Sequence, residues 1–167
     1  MNVARAYAAT AHAGQTYGAE PYTVHLEAVV AIVREVDPSH AAKAVAYLHD
    51  VLEDTTATVA ELTMVFGAVV ASAVLLVTDP EGETRRTRKT ALHTRLLGLD
   101  VNVPAMRLAL LVKAADRLAN VRACMANHPS KLSMYRKEHT VFRPATYRPG
   151  VCDTVWAELD SLLEGSA

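Results

Sequence analysis

Apolar stretches of helical length, spaced by three and four residues, alternate along this chain with short clusters of Gly, Pro, Asn and Asp. That rhythm favours packed helices. The breaks fall at residues 14–21, 79–83, 100–104, 127–130 and 145–150. Between them the pattern predicts a helix from Asn2 or Val3 to about Ala13, and a second over 22–36. A third follows Asp37-Pro38-Ser39 and runs unbroken through AAKAVAYLHDVLED. Thr58 and Glu61 form a capping-box pattern ahead of VAELTMVF, and Gly67 separates that helix from the apolar AVVASAVLLV. Further helices are expected over ETRRTRKTALHTRLLG, PAMRLALLVKAADRLANVRACMAN, residues 135–142 and VCDTVWAELDSLLEG. No alternating partner strand appears, so the fold class is all-α, with residues 1–167 as one domain. The last helix, with Trp156, Leu159, Leu162 and Leu163, is expected to close the core, a homo-oligomeric contact being its other use.

Charge narrows the function classes. The 17 basic and 18 acidic side chains nearly cancel, which is not the footprint of a nucleic-acid binder or a polybasic membrane binder. Cys124 and Cys152 form no CxxC and read as buried thiols. The first residues hold no apolar run of signal-peptide length, and Ala68–Val77 is too short to span a bilayer. No membrane association and a cytoplasmic location are the expectations.

Three groups of residues carry candidate chemistry. His49-Asp50 is followed by Glu53-Asp54, which crowds four titratable side chains at one end of an Ala, Val and Leu helix. Neighbouring helix positions lie about 100° apart, so His49 and Asp50 can reach one point beside the helix. Asp116 shares a face with Lys113 and Asn120 behind the apolar LALLV. A half-buried carboxylate there needs a partner. His25 lies near the start of an amphipathic helix. Taken singly, these are a solvated helix end, an ion pair and a packed histidine, and His12 in AHAGQ reads as structural. Taken together, two His and two Asp on three helices make a mixed nitrogen and oxygen site. Such a donor set suits Mn²⁺, Fe²⁺ or Zn²⁺ better than Ca²⁺.

The order His25, His49-Asp50, Asp116 resembles the HD-domain signature. With AHAGQ, PY before His25, LHDVLEDT and KAADRLANVR, the chain resembles the hydrolase domain of the RelA/SpoT alarmone family, and the short stand-alone small alarmone hydrolases in particular. The resemblance covers roughly residues 4–142. It implies a helical HD-domain bundle in which His25, His49, Asp50 and Asp116 hold the metal, usually Mn²⁺. It implies that Glu53 and Asp54 position and activate water, and that Lys89 and Asn120 contact the nucleotide. The RRTRK run at 85–89 could clamp a pyrophosphate, although Arg85 and Arg86 read better as solvated surface. Lys113 reads equally well as a partner for nearby acids. The implied reaction is removal of the 3′-pyrophosphate of ppGpp or pppGpp, leaving GDP or GTP. Tyr17 stands where many members carry a basic residue, and its ring can stack on a base. An HD phosphohydrolase for another nucleotide, such as an NADPH phosphatase, and a non-catalytic nucleotide-binding module are the alternatives.

Overall fold

Eight consecutive residues, Leu108–Ala115 in number order 108–115, are buried on the central helix, so this helix must be covered on every side. In the computed structural model, which describes residues 3–164, this is α8 (Pro104–Asn127), begun by a proline in its first turn. Its 24 residues make a rod of roughly 36 Å. Around it lie α1 (Val3–Ala11), α2 (Thr23–Val36), α3 (His40–Leu48) and α4 (Val51–Asp54). They are followed by α5 (Val59–Phe66), α6 (Ala68–Val77) and α7 (Arg85–Leu97). After α8 come a single 3-10 turn (Pro129–Lys131), α9 (Leu132–Thr146) and α10 (Asp153–Glu164). α2, α3 and α6 pack directly on α8, with α5 behind α6 and α1 behind α3. α9 and α10 cover the rest of α8, and Trp156, Leu159 and Leu163 enter the core. The fold is all-helical apart from one short hairpin. Among the described residues no helix is long and apolar enough to cross a membrane.

Thr58 and Glu61 form the reciprocal capping box expected of them, each side chain bonding the other's backbone N–H. Three kinds of difference from expectation appear: a hairpin, the lengths of two helices and a break within another. The segment 14–21 contains a two-stranded antiparallel hairpin, β1 (Thr16–Tyr17) and β2 (Glu20–Pro21). Gly18 at φ +63° supplies its left-handed turn residue. The first helix stops at Ala11, and α9 is longer than the expected 135–142. Asn2 and Gly165, expected at two helix ends, lie outside the described residues.

The third correction matters most, because the helix expected to run unbroken to Asp54 stops at Leu48. It resumes at Val51 as α4. Within a helix the Ala46 carbonyl would accept the N–H of Asp50. Here the buried His49 ring nitrogen Nδ1 donates to that carbonyl instead, at 2.8 Å. Asp50, at φ −104° and ψ −3°, then caps α4 by accepting the N–H groups of Glu53 and Asp54.

α10 is fastened to α9 by Asp160, which accepts from His139 Nε2 at 2.9 Å and Arg143 Nε at 2.8 Å. Burial raises the Asp160 pKa, but the Arg143 and His139 bonds outweigh it and hold the carboxyl below its ordinary value. A depressed folded pKa stabilises the fold above the unfolded carboxyl's pKa, and that contribution is lost as pH falls through the folded one. Asp160→Asn is therefore expected to lower the melting temperature at neutral pH. The gap from wild type should close in acid, which thermal melts at stepped pH would read. A gap constant with pH would mean the charge is not what matters.

Candidate metal centre

The break between α3 and α4 turns His49 and Asp50 toward α2 and α8, which bring His25 and Asp116. Ligand atoms of His25, His49 and Asp116 lie within 4.8 Å of one another. Asp116 Oδ1 is 3.3 Å from His25 Nε2 and 3.7 Å from His49 Nε2. Asp50 Oδ2 stands beside this trio, 3.0 Å from His49 Nε2 and 3.8 Å from His25 Nε2. Both imidazoles are almost wholly enclosed, at 4% and 1% exposure for His25 and His49.

The tautomer of His49 follows from its neighbours. A carbonyl can only accept, so Nδ1 carries the proton that bonds Ala46, and Nε2 is left facing the carboxylates. That Nε2 is buried and makes no hydrogen bond. An orphaned imidazole nitrogen aimed at two carboxylates and a second histidine is what a bound cation would complete. The local field agrees. Burial disfavours a charged imidazole, yet Asp50 and Asp116 outweigh it and push the His49 pKa upward, as carboxylates that attract positive charge would. Burial also opposes ionisation of Asp116, but Lys113 and the two histidines hold its carboxyl well below the usual range. The pocket therefore favours positive charge, and its donor set fits a divalent transition ion.

Behind the donors lies a second layer of polar contacts. Lys113, buried on α8, faces Asp116 Oδ2 at 3.6 Å. Asn120 Nδ2 donates to Asp116 Oδ1 at 2.6 Å, and the Tyr17 hydroxyl donates to Asn120 Oδ1 at 2.7 Å. The Tyr17 ring also stacks on His25, with centroids 4.7 Å apart. Tyr17 and Asn120, each expected to meet the nucleotide, are thus bonded to one another over the donors. Burial, with Tyr135 and Asp116 adding to it, pushes the Tyr17 phenol up to about 12, so it remains a donor.

Glu53 and Asp54 sit on α4 at the rim, both exposed. Glu53 Oε2 accepts the backbone N–H of Asp79 at 3.2 Å. Partial desolvation at the rim, helped by the Asp79 carboxylate, pushes the Glu53 carboxyl up despite that bond. Burial and then Asp50 raise Asp54 in the same direction. Lys89 is salt-bridged to the buried carboxylate of Asp79 at 2.9 Å. Arg85 and Arg117 both bind Glu138, so Arg85 is part of an ion-pair cluster between α7, α8 and α9.

Several contacts at the site were not anticipated from the sequence. The Tyr22 hydroxyl donates to Asp50 Oδ2 at 2.6 Å and reaches Asp54 Oδ2 at 3.4 Å. Its ring stacks on His12 at 4.5 Å. His12 Nδ1 bonds Gln15 Oε1, and Gln15 Nε2 donates to the Asp54 carbonyl at 2.7 Å. The one signal available was spacing, since Tyr22 precedes His25 by three residues and so shares its side of α2.

Comparison with known proteins agrees with this geometry. The HD domain family matches residues 4–152. The guanosine-3′,5′-bis(diphosphate) 3′-pyrophosphohydrolase of Haemophilus influenzae is 33% identical over 154 residues, covering 91% of this chain and 23% of that protein. The bifunctional (p)ppGpp synthase/hydrolase SpoT of Escherichia coli K12 is 32% identical over 143 residues, covering 84% of this chain and 20% of that protein. The chain therefore spans about a fifth of the length of these curated relatives. Among solved structures, a metazoan ortholog of SpoT superposes with a TM-score of 0.82 at 24% identity, over 96% of this chain and 92% of that one. With the family's match running through all four donors and the helices superposing on the same fold, the chain belongs to the HD-domain family and is homologous to the SpoT/RelA ppGpp hydrolases.

Proposed function

We propose that this protein is a cytoplasmic, Mn²⁺-dependent pyrophosphohydrolase that converts ppGpp or pppGpp to GDP or GTP and pyrophosphate. The observation that carries the reading is the convergence of His25, His49 and Asp116, with Asp50 alongside, next to two carboxyls whose pKa values are raised. The names of the bacterial relatives and the reported ppGpp hydrolysis by the metazoan ortholog supply the substrate.

His25, His49, Asp50 and Asp116 would hold the ion. When bound, it supplies charge to phosphate oxygens and acidifies water in its shell. Glu53 takes the proton of the attacking water, and its raised pKa makes it a better base near neutral pH than an ordinary carboxylate. Asp54, the next residue on α4, orients that water. Lys113 offsets the buried charge of Asp116. Lys89 can exchange Asp79 for a phosphate, and Asn120 and Tyr17 meet the nucleoside.

Tyr17 presents a ring face and a committed hydroxyl, not a charge, to the base side of the site. That observation favours, as a second reading, an HD phosphohydrolase for a different nucleotide. The test is purified protein with Mn²⁺ and ppGpp, nucleotides being separated by chromatography with EDTA controls and a panel of other nucleotides. Release of GDP and pyrophosphate, abolished by EDTA, is the expected result. Faster turnover of another nucleotide would replace the alarmone as substrate.

A further inference from the structure

The structure assigns to Tyr22 the role of a positioning residue, a tether that fixes the Asp50 carboxylate for the cation. Asp50 lies at the break between α3 and α4, where helical hydrogen bonding no longer dictates its orientation. Its carboxylate is 28 residues along the chain from the hydroxyl that binds it, so the contact is tertiary. A phenol has one proton to donate. That proton goes to Asp50 Oδ2, at 2.6 Å, while Asp54 Oδ2 stands 3.4 Å from the Tyr22 hydroxyl oxygen. The hydroxyl therefore sits between the carboxylate assigned to the cation and one assigned to water.

Tyr22 is itself held in place. It adjoins α2, the helix that carries His25, so the tether and a metal donor are positioned by the same element. Its ring lies on His12 with an interplanar angle of 21°. His12 in turn holds Gln15, whose amide donates to the Asp54 carbonyl. Two separate struts thus reach α4 from the segment between α1 and α2. Tyr22 bears on side-chain oxygens, and Gln15 bears on the backbone. Groups that bond a metal ligand from behind set its direction, and losing one typically weakens metal binding by about tenfold to a hundredfold.

This inference rests on the proposed metal site, and its test uses Mn²⁺ alone, so it can be read even if ppGpp is not the substrate. Apo wild type, Tyr22→Phe and, as a control that loses a phenol–carboxylate bond outside the site, Tyr47→Phe would be titrated with Mn²⁺ by calorimetry, with circular dichroism melts of each. Tyr22→Phe retains the ring on His12 and is expected to stay helical and melt cooperatively. Its Mn²⁺ affinity should fall by about tenfold or more. With saturating Mn²⁺ its kcat should also fall while KM holds. Tyr47→Phe should leave Mn²⁺ affinity unchanged, since the Tyr47 hydroxyl donates to Glu27 and to none of the proposed ligands. Wild-type Mn²⁺ affinity in Tyr22→Phe overturns the assignment. So does an equal loss in Tyr47→Phe, which would make the effect a general loosening. Loss of helical content in Tyr22→Phe also overturns it, because Tyr22 would then be holding the fold and not the carboxylate.

Discussion

Asp116→Asn is expected to yield a folded protein that retains no metal after dialysis and hydrolyses nothing measurable. Asp116 Oδ1 lies 3.3 Å from His25 Nε2 and 3.7 Å from His49 Nε2, and its carboxylate is one of two that make the pocket attractive to a cation. Asparagine keeps the shape and an oxygen that can accept from the Asn120 amide, but it removes the charge. Alanine is the harsher change. It would also leave Lys113 buried without its nearest carboxylate, and breaking such a pair costs about 3–5 kcal/mol. Asn and Ala together separate loss of the site from loss of the fold. Activity in Asp116→Asn should fall by about a thousandfold or more, the scale seen when fixed charge stabilisation is removed from a transition state. Metal content by elemental analysis and turnover by nucleotide separation would be measured on the same sample. Asp50→Ala should likewise lose both. Full activity in either variant would sink the assignment of these donors.

What could be read from the sequence divides along physical lines. The helical class was legible because loop residues and apolar spacing are local signals, and the capping box at Thr58 and Glu61 is complete within four residues. The convergence of His25, His49 and Asp116 was legible through the His49-Asp50 pair and the order of His25 and Asp116, although each alone had an ordinary reading. The break at Leu48 was not. It depends on His49 giving its ring N–H to Ala46, a choice made when the ring is buried and its other nitrogen faces carboxylates. The hairpin at Tyr17 is too short to show any period. Contacts across long stretches of chain were also beyond reach. Tyr17 and Asn120 are 103 residues apart, and no local pattern couples them. Lys89 was expected to contact the nucleotide, and its ion pair with Asp79 was not foreseen. Tyr22 looked like part of a helix start, and only the tertiary fold gives its hydroxyl two carboxylates to face.

Glu53→Gln should separate chemistry from metal loading. Glu53 makes no contact with His25, His49 or Asp116 in the hydrogen-bond and ion-pair network, so metal content should match wild type. Glutamine keeps an oxygen for the Asp79 N–H, which preserves the α4 geometry, but it cannot take a proton from water. Removing a positioned base typically costs about a hundredfold or more, and that loss is expected in kcat with KM little changed. The pH profile gives the sharper reading. A base works only when deprotonated, so wild-type kcat should fall as pH drops through the Glu53 pKa, which partial desolvation places above the ordinary glutamate value. In Glu53→Gln that acid limb should vanish, leaving a low rate that no longer follows Glu53. An unchanged rate would remove Glu53 from the mechanism. A lowered rate with the limb intact would pass the proton to Asp54, whose carboxyl is raised in the same direction by burial and by Asp50.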